Sequence, residues 1–245
     1  MTSPADPPPR IAAEALSLFL DVDGTLIELA ERPDAVIVGD HVTTTLDRLS
    51  VRLDGRIALV SGRSVAQLDA IIGPAARRVV TIGSHGAETR DIGTDLAARV
   101  RPPALAEAET YLRDRFPETD GALLEVKTLG LALHYRLNPS LEDAAIAAAE
   151  AFGREHGLVV QRGKMMVELR AGGPNKGHAI TALMAGPHFA GRIPLFLGDD
   201  ETDEPGFAAC AALGGAGVLV GPLRATAARY RLPDVTAVHA WLGTL

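Results

Sequence analysis

The stretch LSLFLDVDGTL, residues 16 to 26, sets the tightest limits on what this chain can become. Leu16–Leu20 is a short, continuous apolar run, the pattern of a strand buried on both faces. It stops at Asp21 and Asp23, with Gly24 and Thr25 close behind. Alternate acids then leave the carboxyl end of the strand, the edge where open α/β sheets bind ligands. Two neighbouring carboxylates are expensive to desolvate unless a cation or another positive group offsets them. The segment therefore predicts a hard-metal site, and a hard metal beside paired acids points to phosphate chemistry.

The rest of the chain agrees with that beginning. At 245 residues and 47 % apolar, it is long enough for one large domain or two small ones around a substantial core. A net charge of −7 argues against a nucleic-acid surface. It also means that an anionic substrate must be drawn in by a local positive site. The single cysteine, Cys210, cannot form an internal disulfide; among alanines it reads as a buried thiol in a reducing compartment. The opening MTSPADPPPR lacks the basic and apolar regions of a secretion signal and reads as a loose tail over residues 1–15. No apolar run approaches the ~20 residues that span a bilayer, so a cytoplasmic protein without membrane contact is expected.

Further apolar runs at Ile57–Val60, Val79–Ile82, Leu195–Leu197 and Val218–Val220 alternate with helix-spaced segments such as His41–Ser50 and Val65–Ile72. That alternation predicts an α/β fold, a parallel sheet covered by helices on both faces. Three of the runs end in polar residues, Asp21, Ser61 and Asp199, which one sheet edge would collect. The middle of the chain reads differently. After Arg101-Pro102-Pro103 comes a helical Ala104–Phe116, then strand-like Ala122–Lys127 and Leu131–Leu137, a helix Leu141–His156, and strand-like Leu158–Gln161 and Met165–Leu169. Helix, hairpin, helix, hairpin suits an α+β insert over residues 104–171, with the core formed by 16–103 and 172–245. In the insert, Glu125 and Lys127 alternate with apolar residues, as do Lys164, Met166 and Glu168. That polar face is either solvated or a lid for a polyhydroxyl ligand.

Each chemical candidate has a bland alternative. Asp21 is the candidate nucleophile and metal ligand. Asp23 would protonate a leaving alcohol and then deprotonate the attacking water. Acids here could instead form a turn or a cap. Thr25 and Ser61 can donate to phosphate, though Ser61 could simply cap the next helix. Arg63 can reach substrate or pair on the surface. Lys176, in GGPNKGHAI, lies before a helix without Walker spacing and can neutralise phosphate and hold a carboxylate. In GDDETDE, Asp199 can complete a magnesium site, Asp200 can orient Lys176 or a metal-bound water, and Asp203 can support the site or begin the next helix. Of the histidines, His85 is singled out because it follows a strand.

DVDGT, VSGR, the loop lysine and GDDETDE, in this order, resemble the haloacid dehalogenase (HAD) superfamily of phosphatases, and the insert resembles its C2-type cap. LFLDVDGTL, Pro33-Asp34, ALVSGRS, GSHGAETRD, LEVKTLGLALHYR, VELR, KGHAI and FLGDDETDEPGF together resemble the trehalose-6-phosphate phosphatases, from about Leu18 to Val220. The resemblance implies a Rossmann-like core and hydrolysis of a sugar phosphate through an aspartyl-phosphate. Magnesium (Mg²⁺) would be held by Asp21, the Asp23 carbonyl and Asp199, and phosphate by Thr25, Ser61 and Lys176. Arg63, His85, Glu125, Lys127 and Glu168 would bind the sugar, and a trehalose-phosphate synthase would be a functional companion. The stretch Arg170-Ala171-Gly172-Gly173-Pro174-Asn175 departs from the family pattern, which has a proline soon after the cap glutamate and a hydroxyl residue before the lysine. Competing readings are a phosphatase for sucrose phosphate or a hexose phosphate, a phospho-acceptor signalling domain, and a non-catalytic subunit.

Overall fold

The computed structural model describes residues 6–29, 38–97, 100–163 and 165–245. Pro33-Asp34, Lys164 and the first five residues of the expected tail lie outside them. In chain order the elements begin with β1 (Leu16–Leu20), α1 (Asp40–Arg52), β2 (Ile57–Val60), α2 (Val65–Ile72), β3 (Val80–Gly83) and β4 (Glu88–Arg90). There follow α3 (Pro103–Arg115), β5 (Leu123–Val126), β6 (Gly130–His134), α4 (Glu142–His156), β7 (Val159–Gly163) and β8 (Met166–Arg170). The chain ends with α5 (Lys176–Ala185), β9 (Ile193–Gly198), α6 (Glu204–Ala212), β10 (Ala216–Val220), β11 (Tyr230–Leu232) and α7 (Val235–Leu242). Contacts divide it into two compact units, Met1–Ala97 with Pro174–Leu245, and Ala98–Gly173.

The first unit is built on a seven-stranded sheet in the order β11-β10-β9-β1-β2-β3-β4, parallel except for the edge pair β3–β4. β1 is the middle strand of the seven, and every one of its five residues is buried. Leu16, Leu18 and Leu20 pack with Val42, Leu46 and Leu49 of α1 and with Trp241 and Leu242 of α7. Phe19 points the other way, into a cluster with Ile180 of α5 and Phe207 and Cys210 of α6. Both faces of the sheet are therefore covered, as the continuous apolar strands require. Cys210 is fully buried, and burial pushes its thiol pKa up to about 12, so it is an inert packing group.

Side-chain caps fix where two of the helices begin. α2 starts at Ser64, whose hydroxyl accepts from the Gln67 amide while the Gln67 side chain accepts from the Ser64 amide. The cap of α2 is therefore Ser64 and not Ser61. Asn175 caps α5 in the same way through His178.

The second unit is a four-stranded antiparallel sheet in the order β5-β6-β8-β7. Leu124, Leu131, Leu133, Val167 and Leu169 pack on Leu105, Ala108 and Leu112 of α3 and Ala148, Ala149 and Phe152 of α4. The opposite face carries a cross-strand row Glu125–Ala132–Glu168–Gln161. The strand expected over Leu131–Leu137 ends at His134; Tyr135 keeps to the packed face, and the chain then turns, with the Asn138 amide donating to the Tyr135 carbonyl. Gly130 opens β6, one residue before the expected Leu131; a side chain there would strike Glu168 Oε1 at 2.6 Å. Among the described residues, no helix is long and apolar enough to cross a membrane.

Candidate active site

Three neighbouring strands deliver the site to one edge of the larger sheet. Asp21 follows β1, Ser61 follows β2 and Asp199 follows β9, and β9, β1 and β2 are adjacent. Gly24 allows the turn after β1, with φ +83°, and a Cβ there would lie 2.2 Å from Asp199 Oδ2. Only glycine lets the first acid loop and the Asp199 carboxylate approach so closely.

Lys176, the first residue of α5, is buried and donates to Asp21 Oδ1 at 2.7 Å and Asp203 Oδ1 at 2.6 Å. It is not a solvated helix-start charge. Asp203, not Asp200, is the carboxylate that orients it. Asp203 also accepts from the Asp200 amide at 3.0 Å, whereas the Asp200 carboxylate accepts from the Glu201 amide at 2.7 Å and caps its own turn. Asp21, Asp199 and Asp203 each bring a carboxylate oxygen within 4.8 Å of the others.

Burial pushes the Asp21 carboxyl well above the usual carboxylate range; Lys176 pulls it back, and Asp203 and Asp199 push it further up. Burial works against the Lys176 charge, but Asp203 and Asp21 outweigh it and hold the ammonium protonated. With all three carboxylates ionised, the Lys176 ammonium offsets one negative charge and a divalent cation would offset the other two. The donors are all oxygen, which suits a hard ion such as magnesium. The residues present thus fit the metal that the acid pattern implies.

Arg63 clasps Asp23, its Nε and Nη2 each donating to one carboxylate oxygen at 2.7 Å. Thr25 is fully buried, and its hydroxyl has no hydrogen-bond partner among the described residues. Ser61 Oγ accepts from the Arg63 amide at 3.0 Å, which leaves its own proton to donate. His85 and the preceding Ser84 adopt left-handed backbone, φ 56° and 49°. The His85 ring lies so close to Gly62 that a Cβ at position 62 would meet Cε1 at 2.5 Å. Two consecutive non-glycine residues in that region store strain beside the site.

In the second unit, Lys127 donates to both oxygens of Glu168 at 3.3 Å, and His134 Nε2 lies 2.8 Å from Glu125 Oε2. Lys127 with Glu168 and Glu125 with His134 thus form two polar pairs in this unit.

Two residues that the sequence reading passed over stand behind the site. Arg224 donates to the carbonyl oxygen of Asp200 at 2.8 Å, reaches that of Asp199 at 3.4 Å, and pairs with Glu204. Glu88 accepts from the Val65 amide. A lone arginine in a late loop carries no spacing signal, whereas Glu88 sits inside GSHGAE.

The trehalose-phosphatase family model matches residues 19–236. The chain is 41 % identical over 244 residues to the trehalose-6-phosphate phosphatase of Escherichia coli (strain K12), covering 99 % of this chain and 90 % of that one. A probable trehalose-phosphate phosphatase of Sinorhizobium fredii (strain NBRC 101917 / NGR234) is 36 % identical over 232 residues, covering 94 % and 87 %. Among solved structures, the C-terminal domain of C. albicans trehalose-6-phosphate phosphatase superposes with a TM-score of 0.79 at 27 % identity, covering 94 % of this chain and 91 % of that one. The chain belongs to the trehalose-phosphatase family.

Proposed function

We propose that this enzyme hydrolyses trehalose 6-phosphate to trehalose and phosphate, with Asp21 as the nucleophile. The observation that carries the reading is the buried Lys176 between Asp21 and Asp203, with Asp199 alongside. Family membership supplies the substrate. An Asp21 oxygen attacks phosphorus and the bond from phosphorus to the sugar oxygen breaks. Asp23 gives that oxygen its proton, and the enzyme carries an aspartyl-phosphate. Asp23 then takes a proton from water, which attacks phosphorus and frees Asp21 and phosphate. Both Asp23 oxygens accept from Arg63 in this structure, and each keeps a second lone pair on which to carry the proton.

Lys176 neutralises phosphate oxygens, and Thr25 and Ser61 donate to them. Asp21, Asp199 and the Asp23 carbonyl would hold Mg²⁺, which when bound offsets phosphate charge and orients the group for in-line attack. Arg63, His85, Glu125, Lys127 and Glu168 are proposed to bind the sugar, with residues 104–171 acting as a cap and 1–15 as a tail. The substrate would be supplied by a trehalose-phosphate synthase, and the compartment is proposed to be the cytoplasm.

A phosphate-release panel tests this: trehalose 6-phosphate, sucrose 6-phosphate, glucose 6-phosphate and p-nitrophenyl phosphate, each with Mg²⁺ or EDTA. The disaccharide phosphate of trehalose is expected to lead in kcat/KM by about 100-fold or more. EDTA should stop turnover and added Mg²⁺ should restore it. Equal rates on glucose 6-phosphate would replace the assignment with the hexose-phosphate alternative.

Glu168→Ala removes a hydrogen-bonding carboxylate from the polar face of the smaller sheet. It is expected to raise KM for trehalose 6-phosphate by roughly tenfold or more and to leave KM for p-nitrophenyl phosphate within about twofold. Equal shifts for both esters would remove the sugar-binding role.

A further inference from the structure

One buried acid beside the site has no part in this chemistry. Glu88, in β4, is 0 % exposed. Its Oε2 accepts from the Val65 amide at 2.8 Å, and its Oε1 has no hydrogen-bond partner among the described residues. A carboxylate is an expensive group to bury for a single neutral donor. Val65 is the first residue of α2, where backbone amides favour negative charge. It also ends the loop that carries Ser61 and Arg63.

Four hydrogen bonds tie that loop to β3, to β4 and to the strained Ser84-His85 pair between them. Ser61 N donates to Ile82 O at 2.9 Å, Ser84 N to Arg63 O at 2.7 Å and His85 N to Ser61 O at 3.0 Å. The fourth is Val65 N to Glu88 Oε2. The backbones are in contact, since a Cβ on Gly83 would lie 2.7 Å from Val65 N and 2.9 Å from Arg63 O. Three of the bonds join main chain to main chain and persist whatever side chains surround them. The fourth depends on residue 88, and it closes the loop at the far side of Arg63.

We infer that Glu88 is a positioning residue: by fixing the Val65 end of the 61–65 loop it aims the Arg63 guanidinium that holds Asp23. The inference rests on the proposed role of Asp23 as acid and base. Its physical content is a relay of three contacts, Glu88 to Val65 N, the loop to Arg63, and Arg63 to Asp23. What the loop needs from residue 88 is an acceptor oxygen, so a glutamine should serve and an alanine should not.

The test is a double-mutant cycle with trehalose 6-phosphate at saturating Mg²⁺, comparing Glu88→Ala, Glu88→Gln, Arg63→Ala and the Glu88→Ala/Arg63→Ala pair. Glu88→Ala is expected to lower kcat by about tenfold or more with KM within about threefold, and Glu88→Gln to recover kcat to within about threefold of the unmodified enzyme. In the Arg63→Ala background, Glu88→Ala should cost less than about twofold, because the residue it acts through is gone. An undiminished loss in that background, or a loss confined to KM, overturns the relay. If Glu88→Ala does not fold by circular dichroism, Glu88→Gln decides: a folded Glu88→Gln enzyme that loses more than about tenfold in kcat also overturns it. If the unmodified enzyme does not turn over trehalose 6-phosphate, the functional reading fails separately. The same cycle is then read on whichever ester in the panel releases phosphate.

Discussion

Asp21→Asn is expected to leave a folded protein that releases phosphate at least about 10⁴-fold more slowly, because the atom that would bond to phosphorus becomes a poor nucleophile in a site otherwise intact. The amide has nearly the shape of the carboxylate, and its oxygen can still accept from Lys176, which donates to Asp21 at 2.7 Å. One of three crowded carboxylates loses its charge, so thermal stability in EDTA should match or exceed that of the unmodified protein. Phosphate release and a melting curve on the same preparation check both statements. More than about one per cent of turnover remaining in a folded Asp21→Asn enzyme would rule out covalent capture by this residue. A melting point lowered by many degrees would show that the charge at position 21 stabilises the fold.

The parts of this site that could be read from the sequence are those written in local pattern. β1 and β2 fall on Leu16–Leu20 and Ile57–Val60 because a strand buried on both faces is an unbroken apolar run, and the next polar residue marks its exit. That reasoning brings Asp21, Ser61 and Asp199 to one edge without any knowledge of their partners. β4 and β11 were not legible: each is three residues long, too short for a period to show. Nor was the partner of Lys176. It lies 155 residues from Asp21, and a helix-start lysine has the same local signature whether it is solvated or enclosed. The choice between Asp200 and Asp203 turned on burial. Asp203 is fully buried against Lys176, while Asp200 stays at the turn and caps it. Arg63 was read as a substrate group or a surface charge, and its bidentate hold on Asp23 depends on how two loops meet across the β1–β2 edge. The left-handed pair Ser84 and His85 left no trace either: histidine is enriched in such backbone but mostly adopts others, and serine has no such preference.

Lys176→Met should be the most damaging single change to stability in the site. It removes the one ammonium shared by Asp21 and Asp203 and leaves both carboxylates buried, and breaking such a pair costs roughly 3–5 kcal/mol. Turnover should fall by about 10³-fold or more as well, since phosphate loses its fixed cation. The pH dependence carries a definite sign. Asp21 already lies above the usual carboxylate range through burial, and Lys176 is the group that pulls it down. Without Lys176 its folded-state pKa rises further. A group whose folded pKa is raised contributes stability in full below its unfolded pKa, ~4, and loses that contribution as pH climbs through the folded value. The deficit of Lys176→Met relative to the unmodified protein should therefore be small near pH 4–5 and grow toward neutrality as Asp21 is forced to ionise without its ammonium. Urea unfolding in EDTA at acid and neutral pH measures it directly. A deficit that is the same at both would mean that the lysine holds the fold through its methylenes, packed at the start of α5, rather than through its charge.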